Sequence, residues 1–151
     1  MSYDFTDGAL AVIRGARRLA VEREDAAVEP EHIFLSLAEH REAFAGVTDR
    51  LGLDWTRAVG EVAGFVAAHR GIAPAAELPI TEGAKRVLEG TLRAAREAGH
   101  PKVGLEHLLV GVVSEGASRP ARAFAAQGIS PERVTEAMVG NAQRGGGDGS
   151  A

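Results

Sequence analysis

Between residues 81 and 98 the positions Ala84, Val87, Leu88, Thr91, Leu92, Ala95 and Ala98 recur in steps of three and four. That spacing puts them on one stripe of an α-helix facing a core. Thr81 supplies an N-cap oxygen, and Gly99-His100-Pro101 stops the helix. The start of the chain repeats the design, with Thr6 as cap and Ala9, Val12, Ile13, Ala16, Leu19 and Ala20 as the stripe. Phe5 before that cap can staple onto Leu10, whereas Ile80 faces only the stem of Lys85. Shorter apolar runs predict second helices at about 31–39 and 106–114, third helices near 42–51 and 118–127, and fourth helices near 55–67 and 131–140. Asp54 and Ser130 are the caps of the fourth pair. No stretch alternates with a period of two, so no sheet is expected. The fold class is all-α, with about eight helices.

The two halves of this pattern are copies. Shifting residues 5–38 by 75 superposes Thr6, Gly8, Ala9, Val12, Gly15, Arg18, Ala20, Glu22, Val28, Glu31 and His32 on identical residues, 11 identities in 34 positions. After one gap the register resumes at "LGLD" (51–54) against "QGIS" (127–130). The chain therefore reads as a tandem duplication of a four-helix unit. Residues 1–67 form the first repeat, 68–79 a linker, 80–141 the second repeat and 142–151 a disordered Gly-rich tail.

Composition narrows the function. At 151 residues and 45% apolar content the chain buries an ordinary core without staples. It has no cysteine, which removes disulfides, thiolate metal sites and cysteine nucleophiles and suits a reducing compartment, so a cytoplasmic location is expected. The first ten residues lack the features of a secretory leader, and no run approaches the roughly 20 apolar residues of a membrane span. A formal charge of -4 and an aromatic content of 5% argue against a nucleic-acid partner.

Catalytic signatures are missing from the sequence. It contains no G-x-x-x-x-G-K-[ST] loop, H-E-x-x-H, G-x-S-x-G or G-x-G-x-x-G, so neither an enzyme nor a cofactor is expected. The recurring Glu-His pairs, Glu31-His32 and Glu106-His107, put an acid in the first turn of a helix, where the macrodipole favours it. Each histidine points about 100° away from its neighbouring acid; a structural role is expected for both histidines, and no metal site. A second reading takes caps and acids together. A helix N-terminus with a Thr hydroxyl attracts anions, and a carboxylate pairs with a guanidinium. If Thr6 lies near Glu31 and Thr81 near Glu106, each repeat offers both groups to a zwitterionic ligand such as a phosphorylated arginine. Asp7 and Glu82 at the first helical positions oppose a phosphate, and ordinary capping explains these residues more simply.

Two copies of "FTxxA", a long helix, "V-x-x-EH-[IL]-x-L" and "LG[IL]" about 75 residues apart resemble the double Clp N-terminal domain, or Clp repeat domain, in a pattern nearest the ClpC type. The resemblance covers about residues 4–140. It implies two four-helix repeats related by a pseudo-twofold axis, which dock substrates and adaptors for an ATPase ring and catalyse nothing themselves. It also implies phosphoarginine recognition at two equivalent sites, with Glu31 and Glu106 as guanidinium acceptors and Thr6 and Thr81 beside the phosphate. Three departures stand out. Gly8 and Gly83 replace a basic residue, Pro30 and Leu105 replace small or hydroxyl residues, and Ile80 replaces an aromatic. Since the sequence ends in "GGGDGSA", it resembles the stand-alone members of the group.

The expected function is a non-enzymatic peptide- or protein-binding module of the Clp proteolytic system, acting as adaptor, decoy or regulator, with Clp components, their substrates or their adaptors as partners. The alternative is sequestration of cyclic peptide antibiotics in a groove between Thr6 and Thr81, flanked by Phe5, Ile80 and Lys85.

Overall fold

The computed structural model describes residues 4–67, 69–72 and 78–143. In the first repeat α1 (Asp7–Glu22) is followed by α2 (Pro30–Glu39), a 3-10 turn (Arg41–Phe44), α3 (Ala45–Leu51) and α4 (Trp55–Val62). The second repeat runs α5 (Glu82–Ala98), α6 (Leu105–Glu115), α7 (Arg119–Ala126) and α8 (Pro131–Gln143). The caps act as their residue types require. Thr6 Oγ1 accepts from the Ala9 amide and Thr81 Oγ1 from the Ala84 amide, both at 3.1 Å, while Asp54 and Ser130 accept from Arg57 and Arg133. Each bond satisfies a donor that the helix cannot.

The expectation of no sheet is corrected. Asp4–Phe5 (β1) and Lys102–Val103 (β2) form a parallel pair, with Phe5 opposite Val103, and the Thr6 amide donates to Val103 O at 3.0 Å. The second copy mirrors this contact: Val28 bridges Ile80, its amide donates to Pro79 O, and the Thr81 amide donates to Val28 O at 3.0 Å. Each repeat therefore lays the residues before its first helix along the segment before the second helix of the other repeat. Two-residue strands made by tertiary contact are too short for a period-two pattern to register.

The fourth helix also differs from expectation, ending at Val62 rather than 67. Arg23 captures the freed carbonyls of Ala63 and Phe65 at 3.3 and 2.9 Å, and its guanidinium lies 4.3 Å from the centroid of the Phe65 ring. A cation–π contact and two hydrogen bonds outweigh continued helix here. Its counterpart α8, expected near 131–140, runs on to Gln143. The remainder of the tail expected at 142–151 lies outside the described residues, as do 68 and 73–77 of the linker.

The repeats share one core. Phe34 from α2 stacks on Trp55 at 5.9 Å and meets Phe124 from α7 edge-on at 5.5 Å, with Leu37, Leu108 and Leu109 wholly buried around them. Offset and edge-to-face rings favour this arrangement. Within each repeat the first two helices meet at glycine. Gly15 lies against Ser36, and Gly90 lies against Gly111, where the space of a missing side chain admits the Thr91 hydroxyl and the Val87 carbonyl.

Candidate functional site

The Glu-His phrase has a structural answer. His32 sits at the third position of α2, and its Nδ1 accepts the Glu29 amide at 2.9 Å. His107 holds the same place in α6, with Nδ1 accepting the Gly104 amide at 2.8 Å. An imidazole here does what Glu or Gln does in a capping box, reaching back to an orphan amide. Because the amide only donates, Nδ1 carries no proton, so Nε2–H is the donor. In the first repeat it donates to Asp25 Oδ2 at 2.8 Å, and in the second to His100 Nδ1 at 2.9 Å. His32 and His107 are buried, at 0% and 3% exposure. Removal from solvent, with His100 next to it, lowers the pKa of His107 to about 4.

The clasp between repeats arranges the caps and acids crosswise. A methyl placed on Gly104 would lie 3.0 Å from Glu106 Oε1 and 3.7 Å from Thr6 Cγ2, so Thr6 of the first repeat adjoins Glu106 of the second. In the mirror position Gly83, two residues after Thr81, lies against Pro30, next to Glu31. Two departures noted in the sequence prove to be one. The open faces of Gly8 and Gly83 are occupied by Leu105 and Pro30, at 3.3 and 3.1 Å from the Cβ each glycine lacks. A longer side chain at 8 or 83 would have to displace that neighbour.

The acids of the two sites are not equivalent. Glu31 is 8% exposed, and its Oε2 accepts the Arg119 amide at 3.4 Å, at the start of α7. Glu106 is half-buried. Next to the Gly83 site, Glu115 takes the amides of Ala117 and Ser118 at 3.1 and 2.8 Å and lies 3.5 Å from Arg86. Burial works against its charge, but the Ser118 and Ala117 hydrogen bonds and Arg86 outweigh it and hold the carboxyl below the usual range. Phe5 and Ile80, at matching places in the two clasps, are half-buried against the shared core, and Lys85 pairs with Glu82 at 3.3 Å.

A concavity lies away from these residues. A cleft of about 1010 Å³ opens between α5, α6 and α8, lined among others by Ala94, Ala98, His100, Val110, Met138 and Val139, and by none of the predicted site residues. Its signal in the sequence is contradictory. Ala98 belongs to the core-facing stripe of α5, yet it is exposed, and α8 runs on as helix to Gln143 with no later segment over it among the described residues. Among the described residues no group of three or more His, Asp or Glu could hold a metal ion, and no helix is long and apolar enough to cross a membrane.

Compared with known proteins, residues 4–145 match the family described as the Clp repeat (R) N-terminal domain. The chain is 36% identical over 136 residues to the chaperone protein ClpC1, chloroplastic, of Arabidopsis thaliana, covering 89% of this chain and 14% of that protein. It is 35% identical over the same length to ClpC2, chloroplastic, of Oryza sativa subsp. japonica, covering 15% of that protein. The chain thus spans about 15% of the length of such relatives. The fold matches the Hsp104 N-terminal domain of Candida albicans, with TM-score 0.71, 18% identity and 89% and 88% of the two chains covered. It also matches the ClpD N-terminal domain of Arabidopsis thaliana, with TM-score 0.69, 18% identity and 95% and 97% covered.

Proposed function

We propose, from the premise that this chain belongs to the Clp repeat N-terminal domain family, that it is a recognition module of a Clp proteolytic system. In this reading it binds peptide segments of substrates or adaptors and catalyses no reaction. A cytoplasmic location goes with it, as a chain without cysteine suits a reducing compartment.

The observation that supports the reading most is the crosswise meeting of Thr6 and Glu106 around Gly104. Glu106 is the acceptor for a guanidinium, which a carboxylate binds in a planar, two-bonded geometry. Thr6 and the first turn of α1 face whatever the guanidinium carries. Leu105 against Gly8 makes the wall between them apolar, and Asp7 adds negative charge. The site therefore favours arginine-type ligands, with a phosphate bound less strongly than a cationic wall would bind it. Thr81 with Glu31 is the second copy, where a ligand shares Glu31 with the Arg119 amide.

Titration of the amide resonances of Thr6, Gly104 and Glu106 with phosphoarginine and with arginine tests this. Saturable shifts are expected with both ligands, reduced at least tenfold in Glu106→Gln. Equal shifts in the wild type and the variant would refute the assignment.

A further inference from the structure

The first repeat carries its own plug. After α4 the chain turns back, and the Phe65 ring packs edge-on to His32 at 5.2 Å, beneath the Arg23 guanidinium, with only 4% of the residue exposed. The 75-residue shift puts Ala98 where Arg23 stands and His100 where Asp25 stands. Both line the large cleft of the second repeat. Since α8 continues as helix past the point matching the end of α4, no segment returns over this position among the described residues. Val139 at the edge is 50% exposed, and the volume of about 1010 Å³ is ample for a large side chain and its neighbours.

Charge says what kind of segment fits. Glu97, Glu132 and Glu136 stand around the apolar floor, with Arg93 the one Lys or Arg in the lining. The rim thus attracts cations, which steers a basic segment toward it and rejects an acidic one.

We propose that this cleft is a docking site for a segment of a partner protein that presents an aromatic side chain with lysine or arginine beside it, taking the place that Phe65 and Arg23 fill within the first repeat. The site shares no residue with the Thr and Glu pairs, so it stands or falls apart from them.

The probe is a synthetic peptide of this chain's own Gly64–Ala67 sequence flanked by two lysines at each end, followed by methyl NMR of the full chain. Saturable shifts are expected at Ala94, Ala98, Met138 and Val139, weakened at least tenfold when the peptide Phe is replaced by Ala and at least fivefold when its lysines are replaced by glutamates. Glu132→Lys with Glu136→Lys, both exposed and outside the core, should weaken binding similarly at an unchanged melting temperature, and Glu106→Gln should leave it intact. Equal binding of the Phe and Ala peptides overturns the proposal, as do shifts confined to other faces. Binding that emerges only after removal of residues 144–151 would also overturn it, assigning the cleft to the chain's own end.

Discussion

The two repeats put an imidazole at the same point of the same helix and give it opposite surroundings. In the first, His32 donates to the Asp25 carboxylate, which Arg23 approaches at 3.5 Å, and Phe65 packs edge-on against the imidazole. In the second, His107 donates to another imidazole, His100, at the mouth of an open cleft. The backbone sees no difference, because both Nδ1 atoms cap an amide. The difference teaches that the cap is the shared architectural requirement, while the partner on Nε2 was left for each copy to settle. The copy that kept a carboxylate also kept a plug over it.

The strongest way to break the equivalence of the repeats is at their glycine crossings. A methyl on Gly111 would collide with the Thr91 hydroxyl and with the Val87 carbonyl, a backbone atom that cannot rotate away. A methyl on Gly15 meets only side chains, that of Ser36 and, at 3.5 Å, the Arg18 guanidinium. Overpacking against backbone places Gly111→Ala at about 3–4 kcal/mol of destabilisation and Gly15→Ala at about 1–2, measured by urea unfolding. Equal losses would mean that the two crossings are not distinguished by what they touch.

Acid sharpens the imidazole comparison. His107 has a folded pKa of about 4 against an unfolded value of about 6.5, so between those values the unfolded chain binds the extra proton. Stability from this group is complete above pH 6.5 and lost as pH falls toward 4, by about 3 kcal/mol in all. His100→Asp transplants the first repeat's solution and gives His107 Nε2–H a charged acceptor. Unfolding between pH 7 and 4.5 should show the loss at least halved in that variant; an unaltered slope would remove His100 from the account.

The acids give a smaller contrast. Glu31 is buried on the Arg119 amide and Glu106 is only half-buried, so Glu31→Gln should lower stability by about 1 kcal/mol and Glu106→Gln by less. Ligand binding at the Thr6 site should respond to Glu106→Gln and not to Glu31→Gln. Thermal unfolding and the phosphoarginine titration read the two effects separately.

What could be read from the sequence follows from the range of each interaction. The caps at Thr6, Thr81, Asp54 and Ser130 act within three residues, and the stripes of α1 and α5 repeat at every turn, so local patterning suffices for both. The duplication is visible because the two copies share the same capping and crossing residues. The crosswise clasp joins Phe5 to Val103, in the opposite repeat, through two-residue strands, and nothing local encodes it. The end of α4 depends on Arg23, 40 residues away, capturing Ala63 O. The candidate acids were legible as types, but their partners were not, since which Thr meets which Glu is decided by the clasp. The cleft stayed hidden for the same reason: Ala98 lies on an apolar stripe, and only the path of α8 leaves it uncovered.

The finest test concerns the ends of the two long helices. Gly99 follows α5 with φ of 71°, and at the matching position after α1 Glu24 adopts φ of 59°. Only glycine enters that left-handed region without a clash between Cβ and the neighbouring carbonyl. Glu24 is held there by its backbone, since Glu24 O accepts the Gly71 amide at 2.8 Å and the next amide, that of Asp25, returns to Ala20 O at 2.9 Å. Neither bond involves the side chain, so Glu24→Gly keeps both and relieves the strain. The greater freedom of glycine in the unfolded chain offsets part of that gain. A net stabilisation of about 0.5 kcal/mol is expected, a rise in melting temperature of about 1–2 °C for a chain of this length. Gly99→Ala should move the other way by about 1 kcal/mol. A loss of stability in Glu24→Gly would show that the glutamate side chain does more at this turn than tolerate it.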